Sequence, residues 1–160
     1  PNFTDRDRLP YVTKIIKEIV RWHPPAPTGV LALRIPHLLK EDDVYWGYHI
    51  SKGSIVMDNV WGITYDPARY PDPSGFKPKR YVTADSTLDC STNDPSRYVF
   101  GFGKRVCQGK LLVDDSTWLT VAQFLAVMTV IFPVGDTPPK VEFVSEVTSC
   151  IFSQKLCRID

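Results

Sequence analysis

Cys107 stands in the stretch FGFGKRVCQG, residues 100–109, with Arg105 two positions before it and Gly101, Gly103 and Gly109 around it. A cysteine binds metal as its thiolate, and this stretch suits a thiolate offered to the iron of a haem. Glycines lack Cβ and let the backbone come close to a flat macrocycle. An apolar-periodic run from Leu111 predicts a helix directly after the cysteine, and the N–H groups and dipole at its start stabilise a negative sulfur. Arg105 presents a planar guanidinium to a propionate. The alternative is a structural cysteine buried after a glycine turn as a small hydrophobe. That reading leaves the glycines and the arginine without a role.

The other candidate ligands argue against different metal chemistry. Cys90, Cys150 and Cys157 form no CxxC pair, and His23, His37 and His49 stand at no zinc-ligand spacing from one another or from the cysteines. An even cysteine count permits disulfides, but these spacings make no framework. The remaining three cysteines are most simply packing residues. The 160 residues are 43% apolar with a net charge of +1, enough for one modest domain and without the basic patch of a nucleic-acid binder. The longest apolar stretch, 124–134, is shorter than a membrane span.

The elements that must position Cys107 follow from periodicity. Val12, Ile15, Ile16 and Ile19 recur at helical spacing and predict a helix over 9–23, ended by Pro24 and Pro25. Short strands are expected at 31–35, 48–50 and 54–58, and a short helix at 60–65. Residues 66–99 carry five prolines and no usable period, which in a compact domain signals function or disorder. A second long helix is expected over 111–130, with Leu111, Trp118, Leu119, Ala122 and Leu125 on its apolar face. The tail, 141–159, alternates as a terminal hairpin would.

Glu18 and Arg21 stand three apart on the first helix. In isolation this is an exposed ion pair worth a few tenths of a kcal/mol. It is joined, however, by Phe76, Pro78, Arg80 and Tyr81 in the pattern F-x-P-x-R-[FY], and by Phe100, Gly103, Arg105, Cys107 and Gly109 in the cysteine loop. With all three motifs the chain resembles the cytochrome P-450 family, in particular its fungal microsomal members.

The resemblance implies a mainly α fold with small β-sheets. Residues 1–160 would be the C-terminal portion, roughly the last third, of a single larger domain. It implies haem b with Cys107 as axial iron ligand, and Phe100, Gly101, Gly103, Arg105 and Gly109 as cofactor-binding residues of the loop. His37 would lie against a propionate, and Val30, Leu31, Ala32 and Leu33 would line the substrate pocket. A buried network of Glu18, Arg21 and Arg80 would lock the irregular stretch behind the loop by supplying donors to its carbonyls. The implied activity is insertion of one oxygen atom from O₂ into an apolar organic substrate, with electrons from an NADPH-dependent cytochrome P-450 reductase facing Lys104 and Lys110. The full-length protein would sit at the endoplasmic reticulum membrane through an N-terminal anchor. No acid–alcohol pair in a glycine-bearing helix, the family's proton-delivery element, occurs in these residues. The alternative is a truncated, non-catalytic piece unable to hold haem or turn over alone.

Overall fold

A computed structural model describes residues 1–25, 37–81 and 93–129, together with the backbone of 142–144 and 150–152. The first helix, α1 (Pro10–Trp22), starts on a proline, which tolerates a first-turn position because its missing N–H would be unpaired there anyway. It buries two different sides. Val12 and Ile16 pack against Trp118 and Ala122 of α3 (Lys110–Val127), with Leu9, Val20, Leu119 and Val121 around them. The polar side, bearing Glu18 and Arg21, is buried as completely as the apolar one.

A second cluster gathers Val60, Tyr70, Tyr98 and Val99, flanked by Val20, Ile63 and Phe100. It joins the short helix α2 (Val60–Thr64) to the chain leading into the cysteine loop. Val20 packs against both clusters, so α1 is the shared wall between them. Ahead of α1 a 3₁₀ helix, Phe3–Arg8, is capped reciprocally by Asn2 and Asp5. Its Arg6 pairs with Asp114 and Asp115 on α3.

Among the described residues the strands are short and lie in three two-stranded antiparallel sheets. The outermost pair is β1 (His37–Leu38) with β4 (Ile55–Val56), His37 opposite Val56. Between them β2 (Asp43–Tyr45) and β3 (Tyr48–Ile50) form a hairpin. A terminal hairpin joins β5 (Glu142–Val144) to β6 (Cys150–Phe152), where the sequence alternates. The sequence places strands at 48–50 and within 54–58 but gives no warning of β1 and β2, which have only two and three residues. The expected strand at 31–35, and with it Val30 to Leu33, lies outside the described residues.

The apolar face expected on α3 is only partly the buried one. Trp118 and Ala122 are buried and Leu119 is half-buried, but Leu111 and Leu125 are exposed. The helix is apolar nearly all round, so its sequence does not single out the side that meets α1. The stretch 66–81 has turns and one 3₁₀ helix, Pro78–Tyr81, rather than regular structure. Another 3₁₀ helix, Pro95–Arg97, precedes the cysteine loop.

Candidate functional site

Glu18 and Arg21 come together because three residues bring side chains to one face of a helix. Arg80 reaches them from 62 residues away. Arg21 uses all five of its guanidinium N–H groups. Its Nε donates to Glu18 Oε2 at 2.9 Å and its Nη2 to Glu18 Oε1 at 2.8 Å. The others go to the carbonyls of Thr64 at 3.1 Å, Pro73 at 2.9 Å and Gly75 at 3.2 Å. Arg80 Nε bridges both Glu18 oxygens, at 3.2 and 3.1 Å, and its outer nitrogens hold the carbonyls of Pro71, Asp72 and Gly75. The Lys77 N–H completes the set by donating to Glu18 Oε1 at 2.8 Å. The side chains of Glu18 and Arg21 are 0% exposed.

These bonds explain how an irregular segment keeps one shape. A chain without helix or sheet leaves its carbonyls unpaired, and burying them unpaired is costly. Here two guanidinium groups stand in for the missing backbone donors, and a single carboxylate balances them. Trp22 adds a bond from its indole N–H to the Ser74 carbonyl at 2.8 Å, and Tyr65 anchors to the Trp22 carbonyl at 2.9 Å. Burial pushes the phenols of Tyr65 and Tyr81 above their usual range, and the Glu18 carboxylate adds to the rise in both. Tyr98, in the second cluster, is pushed up to about 12, mainly by burial.

The cysteine loop runs from Tyr98 to the start of α3. Gly101 has φ +83° and Gly103 φ +56°, left-handed conformations that cost other residues energy. A Cβ on Gly101 would lie 3.4 Å from the Arg105 carbonyl oxygen, so the constraint there is the left-handed backbone rather than a clash. The turn brings the Cys107 N–H to the Phe100 carbonyl at 2.8 Å, and the Lys110 N–H to the Cys107 carbonyl at 3.2 Å. Gly109, with φ −78°, is the cap of α3, and a Cβ there would lie 3.7 Å from the Cys107 sulfur, an ordinary contact. Cys107 is a free, exposed thiol, so it is not the buried packing cysteine of the alternative reading. Among the described residues neither its sulfur nor the Arg105 guanidinium has a hydrogen-bonding or ionic partner. Phe102, Val106 and Leu111 expose apolar surface on the same loop and the helix turn after it. A free sulfur, apolar surface and an unengaged cation together fit a flat, iron-bearing, anionic macrocycle.

Not every predicted residue is gathered there. His37 is exposed on β1 and makes no hydrogen bond or ion pair with the cysteine loop among the described residues. Lys110 is less available than its neighbour Lys104, because its ammonium donates to the Ser96 carbonyl at 3.0 Å and lies 5.8 Å from the Phe100 ring centre. A groove of about 690 Å³ lies on the irregular segment, lined by Tyr11, Tyr70, Phe76, Arg80, Tyr81 and Asn93 among others, and none of the cysteine-loop residues line it. Sequence reasoning missed the ion pair of Lys17 with Asp94, at 2.7 Å. The two residues are 77 positions apart with no local pattern linking them.

A family model described as Cytochrome P450 matches residues 1–153. The chain belongs to the cytochrome P450 family. It is 42% identical over 149 residues to the cytochrome P450 monooxygenase claR of Ampulloclitocybe clavipes, covering 93% of this chain and 26% of that protein. It is 39% identical over 153 residues to a tryptamine 4-monooxygenase of Psilocybe cyanescens, covering 95% of this chain and 29% of that one. A solved zebrafish cytochrome P450 with abiraterone superposes at TM-score 0.76 and 27% identity, over 98% of this chain and 34% of the other. The helix-rich cytochrome P450 fold with small antiparallel sheets, expected from the motifs, is thus the one observed. The chain spans about a quarter of the length of the curated relatives it matches. No helix among the described residues is long and apolar enough to cross a membrane.

Proposed function

We propose that this chain forms the thiolate side of a haem site in a monooxygenase, with Cys107 as the axial ligand of the iron in haem b. The observation that carries the reading is the loop itself, where an unpartnered, exposed sulfur is held through its backbone from both sides, after two left-handed glycines. Phe100, Gly101, Gly103 and Gly109 shape the approach, and Arg105 is the cation for a propionate. His37 is the candidate for a second propionate contact. Bound there, haem would supply activation of O₂ and transfer of one oxygen atom to an apolar organic substrate. The chain's own residues do the holding. The Phe100 carbonyl fixes the Cys107 N–H, the Lys110 N–H at the start of α3 holds the Cys107 carbonyl, and Glu18, Arg21 and Arg80 keep the irregular segment in place behind the loop.

On this reading residues 1–160 are the C-terminal portion of one larger domain. The whole protein takes electrons from an NADPH-dependent reductase docking near Lys104 and resides at the endoplasmic reticulum membrane. A second reading, that this chain alone neither holds haem nor turns over, is favoured by the exposed Leu111, Leu112, Leu125 and Val127 of α3. Such apolar surface is normally covered by other protein.

One spectrum separates them. The chain is mixed with haem, reduced and exposed to carbon monoxide. A strongly red-shifted Soret band that disappears in Cys107→Ala supports the thiolate site in this chain. A band only at the histidine-type or free-haem position supports the second reading. A red-shifted band that survives Cys107→Ala refutes the ligand assignment.

A further inference from the structure

Among the described residues, the hydrogen bonds of the Glu18 network run to Thr64 and the irregular segment, whereas its neighbour on α1 connects toward the cysteine loop. Lys17 Nζ donates to Asp94 Oδ2 at 2.7 Å. Asp94 Oδ1 accepts the Ser96 N–H at 2.9 Å, and the Ser96 carbonyl accepts Lys110 Nζ at 3.0 Å. The Lys110 N–H donates to the Cys107 carbonyl, and the Cys107 N–H to the Phe100 carbonyl. Residues 96–110 are therefore closed into a ring of hydrogen bonds that holds the Cys107 backbone. Val20 of α1 packs against the apolar cluster of Tyr98 and Val99 in this ring, and the Lys17–Asp94 ion pair adds a polar tie to α1.

That tie lies in a place where charge matters. The Lys17 and Asp94 side chains are 17% and 21% exposed, so their attraction is less screened than that of a surface pair. Burial alone would raise the Asp94 carboxyl. The Lys17 ammonium and the Ser96 N–H outweigh it and leave the group below its usual range. Packing between the ring and α1 is incomplete on this side. A void of about 40 Å³ lies between α1, the ring and α3, lined by Lys17, Val20, Ser96, Phe100, Val113 and Thr117 among others. Beside that gap the polar tie supplements the apolar packing of Val20 and Phe100 against the cluster of Tyr98 and Val99.

We propose that Lys17 and Asp94 are positioning residues for the Cys107 sulfur, fixing the 96–110 ring against α1 and so setting where the thiolate stands. The part concerning the sulfur rests on the haem–thiolate reading; the fixing of the ring does not.

The test uses the whole chain in five forms: unaltered, Asp94→Asn, Lys17→Met, Lys17→Arg and the double variant of the first two substitutions. Asparagine keeps the cap on Ser96 and loses the charge. Methionine keeps the apolar stem, and arginine keeps the charge. Hydrogen exchange of the haem-free chain should show the amides of Tyr98, Gly101 and Cys107 exchanging about tenfold faster in Asp94→Asn and in Lys17→Met. Lys17→Arg should stay near the unaltered rate. The double variant Lys17→Met with Asp94→Asn should be no faster than either single one. Unchanged exchange in the single variants, or additive effects in the double, overturns the proposal. With haem and carbon monoxide, both charge-removing variants should move several-fold more of the Soret absorption from the red-shifted to the ordinary position. Faster exchange with an unmoved share refutes the positioning of sulfur. A red-shifted band missing from every form, with exchange as expected, means instead that the haem–thiolate reading has failed while the tie to the ring stands.

Discussion

Replacing Glu18 by glutamine keeps its shape and removes its charge, which isolates what the carboxylate does at the centre of the lock. Oε1 accepts from Arg21, Lys77 and Arg80, and a glutamine oxygen can take over all three. At the Oε2 position an NH₂ group would instead face the Nε–H groups of Arg21 and Arg80, donor against donor. Two charge-assisted bonds are lost, at about 1.5 kcal/mol or more each. Two guanidinium groups also remain without their counter-ion, one of them 0% exposed. Removing one partner of a buried pair costs about 3–5 kcal/mol. For a chain of this length that corresponds to a fall in Tm on the order of 10 °C. Thermal melting followed by circular dichroism reads the shift, and exchange at the Lys77 amide shows whether the segment has come loose. Arg8→Ala, which removes a solvent-facing pair with Asp5, should leave the melt unmoved. A Glu18→Gln chain melting within about 2 °C of the original, with the Lys77 amide still protected, would show that the network carries no stability.

Other substitutions test the packing and the loop. Trp118→Ala empties a fully buried site between α1 and α3 and should cost about 3–5 kcal/mol, read from the urea midpoint. Gly101→Ala forces a Cβ into a left-handed conformation and should cost about 1–2 kcal/mol. Gly109→Ala meets only an ordinary contact and should change stability by less than about 0.5 kcal/mol. On the proposed reading Gly109→Ala still weakens haem binding in a titration, because the new methyl stands beside the sulfur; unchanged affinity would count against that face as the haem side. Asp94 binds its proton less readily in the folded chain than at its ordinary value of 3.8. The unfolded chain therefore takes up more protons as pH falls through that value, and the stability the pair contributes above it is lost below it. The urea midpoint should fall between about pH 5 and pH 2, and Asp94→Asn should flatten that fall; equal slopes in both chains would contradict it.

The residues that carry chemistry were legible because they are local. The cysteine loop is ten residues long, and α1 announces itself through Val12, Ile15 and Ile16. Burial was not legible in the same way. Glu18 and Arg21 look like a surface pair at their spacing, and what buries them lies 43 to 62 positions further on. Residues 66–81 looked structureless because their order comes from side chains of α1 and Arg80, not from their own periodicity. The Lys17–Asp94 contact had no signal at all, since a lone lysine and a lone aspartate in a chain with this many charges single each other out only once folded. The choice of buried face on α3 was hidden for the opposite reason, because Leu111, Leu112, Trp118, Leu119 and Leu125 make too many sides apolar.

The way Arg21 spreads its donors has a consequence for how the irregular segment opens. One guanidinium holds the carbonyls of Thr64, Pro73 and Gly75, and Gly75 is shared with Arg80. Fraying is normally a retreat by single residues, each step losing one bond and gaining water. Here the first step would leave an N–H of a buried guanidinium unpaired, and every later step would work against the same ion. Intermediate stages are therefore higher in energy than either end. The segment behaves as a latch with two positions, and its fluctuations are rare and complete rather than frequent and partial.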